Sequence, residues 1–332
     1  MDDAANRRGL IELGQQVTRS NCPGRRPVAD RHLPAGALRI GHFATAGATR
    51  PEPTGTAGKL AVRANRGEVW TMNDHSNKAA ILTGAGTGIG RAAAQLLVAN
   101  GVRVVAVGRT RETLEELRDE LGAEMVAVHV TDVTAVDAPR ASVDMALERF
   151  GRLDYLVNNA GKGKPFPVHE STDEILDEYL DILLRAPFRY CREALTAMKS
   201  GSAIVNISST YSILGGLRGG AYSAAKAGLN GLTLHMAAQY GPEGIRTNAV
   251  APGVTETPMT AYNWENEVFR RMNFEMTPMN RTCTAMDVAQ AIWFLLSDAS
   301  GFVNGQILAV DGGWTTTKYL SEEARFAERV KP

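Results

Sequence analysis

The chain of 332 residues balances 36 Lys and Arg against 36 Asp and Glu, with 44% hydrophobic and 22% charged residues. That composition suits a soluble globular protein with one or two domains and a sizeable core. It argues against a nucleic-acid or anionic-membrane binder, and no apolar run approaches the ~20 residues of a membrane span. Cys22, Cys191 and Cys283 lack CxxC or metal-ligand spacing, as do the six histidines. Free thiols in a reducing, cytoplasmic setting and no metal site are therefore expected.

Composition shifts near residue 75. Residues 1–75 are rich in Gly, Ala, Pro and dispersed Arg and show no sustained apolar period. Such a segment buries too little apolar surface to offset its ordering entropy, so it is predicted to be a disordered extension. Met72 opens the stretch that leads into the first strand. Residues 1–71 are accordingly read as upstream sequence joined by a misassigned start, in preference to a targeting peptide or functional tail.

From residue 76 to 318, short apolar runs alternate with helical stretches. Strands are predicted over 79–84, 102–108, 124–130, 153–158, 202–208, 245–252 and 306–313. Helices are predicted over 91–101, 111–121, 138–151, 172–198, 222–241 and 286–298. Continuous apolar strands, each followed by a helix, predict a parallel sheet covered on both faces. Right-handed crossovers make that an α/β, doubly wound, Rossmann-type single domain. Residues 319–332 read as a polar tail.

The first strand runs into Gly84-Ala85-Gly86-Thr87-Gly88-Ile89-Gly90. Glycines there let backbone approach a pyrophosphate, and the following helix offers N–H groups and its positive dipole end. Asn158-Asn159-Ala160-Gly161 follows the fourth strand. Tyr222-Ser-Ala-Ala-Lys226 lies on a helix, its two functional side chains four apart on one face. Together, over residues 78–314, these motifs resemble the short-chain dehydrogenase/reductase family.

The resemblance implies an NAD(P)-dependent oxidoreductase that interconverts a secondary alcohol and a ketone. Hydride passes between nicotinamide C4 and the carbonyl carbon, Ser209 orients the carbonyl oxygen, and Tyr222 is the acid/base. Lys226 is expected to favour the Tyr222 phenolate and to bind the nicotinamide ribose. Ser208 is the alternative to Ser209. The same resemblance assigns cofactor contacts to Gly84, Thr87, Gly88, Ile89 and Gly90, to Asp132 and Val133, and to Asn159, Ala160 and Gly161. It adds Pro252, Gly253, Val254 and Thr257 after the sixth strand, besides Tyr222 and Lys226 themselves.

Val107-Gly108-Arg109 ends the second strand. Gly108 stands where NAD-type members carry Asp, and the Arg109 guanidinium suits a 2′-phosphate, so NADP is favoured with NAD as the alternative. Leu183 occupies a position where relatives carry Asn, which implies a slower or rerouted proton relay. A Leu183→Asn variant is then expected to gain turnover.

The 259–286 segment lies where the family keeps its substrate lid. Met259, Tyr262, Trp264, Phe269, Met272, Phe274, Met276 and Met279 suggest an apolar pocket, with Tyr211, Ile213 and Leu214 nearby. Two other functions stay open. One is a 3-oxoacyl thioester reductase, using Arg270, Arg271 and Arg281 at a carrier phosphate. The other is an NADP-binding sensor or structural subunit. A homodimer or homotetramer is expected, paired through apolar faces at Leu180, Leu183, Leu184 and at Leu229, Leu232, Met236, with a further contact at Val310–Trp314.

Overall fold

The computed structural model describes residues 61–63, 69–71, 75–163, 166–216, 219–275 and 277–316. Most of the 1–75 extension and the whole 319–332 tail lie outside the described residues. One difference falls inside the extension. Ala61–Arg63 and Val69–Thr71 pair as two antiparallel strands, where the sequence predicts no order. Two three-residue strands satisfy one another's backbone groups locally, and so short a ladder leaves no periodic signature in sequence.

The seven expected strands form one parallel sheet. They are β1 (Ala79–Thr83), β2 (Arg103–Gly108), β3 (Val126–Val130), β4 (Tyr155–Asn158), β5 (Ala203–Ile207), β6 (Arg246–Pro252) and β7 (Ile307–Val310). Their order across the sheet is 7-6-5-4-1-2-3. Alternate residues serve opposite faces. Ala80, Leu82, Val104 and Ala106 pack on one side with α1 (Gly88–Ala99), α2 (Arg111–Leu121) and, further along the chain, α8 (Ala285–Leu296). Ala79, Ile81, Val105 and Val107 pack on the other with α3 (Ala138–Phe150), α5 (Ala186–Leu195) and α6 (Gly220–Tyr240). Both faces are dry, which is why the strands read as unbroken apolar runs.

The chain winds outward from β1 to β3, then returns to β4 on the other side of β1. The crevice opens at this switch point, beyond the C-terminal ends of the strands. Polar side chains tie the reversal together. Thr83 Oγ1 accepts from Asn159 N and Ala160 N at 2.9 and 3.0 Å, and Asn159 Nδ2 donates to the Thr83 and Gly84 carbonyls. Deeper in, Asn158 Nδ2 donates to Asn206 Oδ1 (2.8 Å) and Asn206 Nδ2 to Thr233 Oγ1 (2.9 Å), joining β4, β5 and α6.

The single long helix predicted over 172–198 is instead α4 (Asp173–Leu180), a π-helical turn at Asp181–Arg185, and α5. Pro187 explains the break. It has no N–H for the carbonyl of Leu183, so the ladder widens one turn before it. Three of the six residues expected on the pairing faces differ from expectation, while Leu180, Leu184 and Leu232 are half-buried. Leu183, Leu229 and Met236 are buried, because the sheet and the site claim that side of each helix. The large apolar side chains that α5 and α6 expose are Phe188 and Leu234, each 51% accessible.

Candidate active site

β1 delivers the chain into the glycine turn. Gly84 sits at φ +68°, and a Cβ there would come within 2.9 Å of Ala160 Cα. At Gly90 the constraint is contact. A Cβ would meet the Gly84 carbonyl oxygen at 2.0 Å and Asn159 Nδ2 at 2.7 Å, so α1 can lie this close to the strand ends only without a side chain. Thr87 precedes α1 without a side-chain cap, and no acid stands in the first helical turn. The positive end of α1 thus faces the crevice un-neutralised. This bare cradle and helix end fit the pyrophosphate of a dinucleotide.

Across the crevice, Ser209 follows β5, and Tyr222 and Lys226 project from α6. Ser209, Tyr222 and Lys226 line one cavity of 330 Å³ together with Gly84, Thr87, Gly88, Ile89, Asn159, Ala160 and Gly161. Pro252, Gly253, Val254 and Thr257 close it from β6. Of the predicted positions, Gly90, Arg109, Asp132 and Val133 lie outside this cavity. Gly90 packs beneath the turn. The other three sit at the far ends of β2 and β3.

At that far end, Arg109 is 74% exposed with a nitrogen 3.8 Å from Asp132 Oδ2. Asp132 accepts from Thr134 N and Oγ1 at 2.9 and 2.7 Å. The Thr134 backbone N–H, foremost, holds its carboxyl below the usual range. Arg109 therefore has a carboxylate neighbour, but a solvated one that screens it weakly.

Lys226 is 5% exposed, and its Nζ donates to the Ile207 carbonyl at 2.5 Å. Ile207 lies one residue past the last β4–β5 pair, Asn158 with Asn206. Burial pulls the Lys226 ammonium down to about 8. Its Nζ stands 5.9 Å from the Tyr222 ring centre. Burial pushes the Tyr222 phenol up, with the Ser209 hydrogen bond opposing. The ammonium is turned to the Ile207 carbonyl, and it is the burial of the phenol itself that sets the upward direction on Tyr222.

Between the two candidate serines the geometry discriminates. The Ser208 hydroxyl donates to Asn230 Oδ1 at 2.6 Å and lies 2.9 Å from Ser212 Oγ. Ser212 Oγ in turn donates to the Ser209 carbonyl. Ser208 therefore belongs to a brace under the loop, and Ser209 is the serine whose hydroxyl bears on Tyr222. Sequence reasoning missed this brace. Its members, Ser208, Ser212 and Asn230, share no motif.

Leu183 is buried on the π turn, among Tyr179, Ala221 and Ala225, and lines the same cavity. Its Cδ2 would lie 3.2 Å from a Cβ on Gly161. From the 259–286 segment, Met259, Tyr262 and Phe269 line the cavity, and Trp264 packs edge-on against Phe269 (5.3 Å). The side chains of Met272, Phe274 and Met276 lie outside the described residues. Arg281 is bonded to Asp287 through two contacts of 2.7 and 2.9 Å, a pairing the carrier-phosphate reading did not foresee.

A doubly wound sheet with a glycine cradle at its switch point and a Ser–Tyr–Lys cluster facing it defines a nucleotide-dependent oxidoreductase site. The family model described as enoyl-(acyl carrier protein) reductase matches residues 84–315. A cis-4-hydroxycyclohexanecarboxylate dehydrogenase of Sinomonas cyclohexanicum is 41% identical, covering 72% of this chain and 97% of that protein. An A-factor type gamma-butyrolactone 1′-reductase (1S-forming) of Streptomyces virginiae is 37% identical over 72% and 96%. Among solved structures, a glucose/ribitol dehydrogenase of this type from Brucella melitensis superposes with a TM-score of 0.70 at 33% identity, covering 73% and 98%. One from Beutenbergia cavernae, described as an NAD(P) dependent gluconate 5-dehydrogenase with NADP bound at low occupancy, gives 0.67 at 35%, covering 72% and 97%. The chain belongs to the short-chain dehydrogenase/reductase family. It is an NAD(P)-dependent oxidoreductase acting on CH–OH groups. Among the described residues, no helix is long and apolar enough to cross a membrane, and no cluster of His, Cys, Asp and Glu is suited to a metal.

Proposed function

We propose that this enzyme interconverts a secondary alcohol and a ketone on an apolar substrate, with Tyr222 as acid/base. The observation that carries this reading is the convergence of Ser209, Tyr222 and Lys226 on the cavity that also holds the glycine turn. The nicotinamide, when bound, exchanges the hydride with the substrate carbon. Ser209 holds the substrate oxygen, and the Tyr222 hydroxyl gives it a proton in reduction or takes one in oxidation. Burial pushes the Tyr222 phenol up, toward holding the proton that reduction delivers. Oxidation needs the phenolate and gains as pH rises. Lys226 would meet a ribose hydroxyl as well as the Ile207 carbonyl. Gly84, Thr87, Gly88, Ile89 and Gly90 would cradle the pyrophosphate. Asn159, Ala160, Gly161, Pro252, Gly253, Val254 and Thr257 would border the nicotinamide, and Asp132 and Val133 the adenine.

Arg109 supports NADP over NAD, since no acid ends β2 to repel a 2′-phosphate. The exposed Phe188 and Leu234 support a homo-oligomer paired through α5 and α6. A cytoplasmic setting fits the buried free Cys191. The thioester reading loses Arg281 to Asp287, and the sensor reading gives no role to Ser209 and Tyr222, which line the cavity beside Lys226.

The test is a panel of ketones, secondary alcohols and acyl thioesters with NADPH or NADP, run on the enzyme and on Tyr222→Phe. Ketone reduction is expected, falling about 10³-fold in kcat in the variant while nucleotide affinity is retained. Turnover in Tyr222→Phe within a few fold of the parent overturns the assignment. Tight nucleotide binding without any turnover favours the sensor.

A further inference from the structure

A second cavity, of 510 Å³, lies beside the first, bounded by α7 (Glu267–Glu275), the segment before α8 and the end of β7. The two cavities share a wall formed by Thr210, Tyr211, Gly253, Val254 and Phe269. Tyr211 links the two sides. Its ring meets the Tyr222 ring edge-on (centres 6.4 Å apart, 80°) and stacks toward Trp314 (6.4 Å, 28°), which borders the second cavity. Gly216 and Gly219 make room for the ring, since a Cβ on either would come within 2.5 or 2.9 Å of it. A substituent on a carbon held at Tyr222 meets Tyr211 first and the second cavity beyond it.

The charges around this second space are already satisfied. Arg281 and Asp287 are bonded to each other, and Asp287 also accepts from Thr284 N at 2.8 Å at the start of α8. Asp311 accepts from the Gly313 and Thr315 N–H groups at 2.9 and 2.8 Å. Arg281, the cation of this lining, is held by Asp287, and Asp311 would repel an incoming carboxylate, while Met279, Leu308 and Trp314 offer apolar surface.

We propose that the second cavity is a distal substrate subsite that takes an uncharged, apolar substituent of the ketone or alcohol reacting at Tyr222. This rests on the oxidoreductase reading above. It narrows the substrate class to carbonyl compounds bearing an alkyl chain or second ring several bonds from the reacting carbon.

The test uses the full chain with cyclohexanone, its 4-alkyl derivatives from methyl to hexyl, and 4-oxocyclohexanecarboxylate. Steady-state kcat and KM with NADPH are measured beside calorimetric Kd values for the same ketones on the enzyme–NADP complex. KM and Kd are expected to fall roughly two- to fourfold per methylene over the first carbons, with kcat little changed. The carboxylate is expected to bind at least tenfold more weakly than the butyl ketone. Leu308→Trp, which thrusts an indole into the cavity from β7, is expected to cut the hexyl-to-methyl ratio of kcat/KM at least tenfold. KM and Kd flat with chain length, tighter binding of the carboxylate, or an unchanged ratio in Leu308→Trp overturns the subsite. If that variant does not fold, the alkyl series decides alone. Kd falling with chain length in the absence of any turnover sustains the subsite and overturns the ketone–alcohol reading with Tyr222 as acid/base. Turnover without length dependence does the reverse.

Discussion

At the glycine turn, what the crevice presents is backbone: N–H groups at the start of α1, reached because Gly84, Gly88 and Gly90 carry no side chains. Across from it, β5 and α6 present buried side chains, with Lys226 and Ser209 each under a tenth exposed. The first region is limited by space and gains stability from close packing. The second is limited by charge, and it costs stability to keep an ammonium out of water. The two regions therefore rest on different physical terms, and substitutions separate them.

The largest effect is expected at Gly90→Ala. The added Cβ lands on the Gly84 carbonyl, and only withdrawal of α1 relieves it. A loss of about 3 kcal/mol in denaturant unfolding is expected, with nucleotide affinity falling with it. A variant of parental stability and affinity erases the contrast between the two regions.

Lys226→Met is expected to move stability the other way. The folded-state value of about 8 lies below the unfolded 10.5. Below pH 8 both states hold the proton, and the folded state bears the full cost of the buried charge. Between pH 8 and 10.5 only the unfolded chain holds it, so the parent's stability rises with pH across that window. The variant is expected to gain about 2 kcal/mol at pH 7, once the orphaned Ile207 carbonyl is counted, and the gain shrinks toward pH 10.5. Unfolding curves from pH 6 to 10.5 check this, beside a loss of turnover.

Leu183→Asn sharpens the comparison within the charged region. Placing an amide among Tyr179, Ala221 and Ala225 is expected to cost ~2 kcal/mol of stability. Turnover is still expected to rise a few fold if a relay water is what the leucine excludes; unchanged turnover in a folded variant counts against that relay.

The smallest effect is expected at the exposed edge of the cofactor region. Arg109→Ala is expected to weaken NADP about fivefold and NAD hardly at all, and to lose that difference at high salt. Equal effects on both nucleotides remove the case for NADP.

Much of this was legible in the chain itself. The seven strands were readable because both sheet faces are dry, and the glycine turn because its constraint is local. The Tyr222–Lys226 pair was readable because helical spacing alone sets it on one face. The π turn was not, although Pro187 was in view, since a proline shows that a ladder is interrupted and not how the backbone absorbs it. The direction of Lys226 toward Ile207, the brace that separates Ser208 from Ser209, and the pairing of Arg281 with Asp287 are contacts across loops and strand ends. The burial of Leu229 and Met236 was misread for the same kind of reason: an apolar stripe says that a helix face is covered, not by what.

The sequence by itself determined the layered α/β architecture, the glycine turn after β1 and the shared face of Tyr222 and Lys226, because period, glycine geometry and helical spacing act over a few residues. Only the tertiary structure decided how deeply those side chains are buried, which serine reaches Tyr222, and that a second apolar space opens behind Tyr211. Burial and long-range contact set each of these, and neither exists until the sheet has closed.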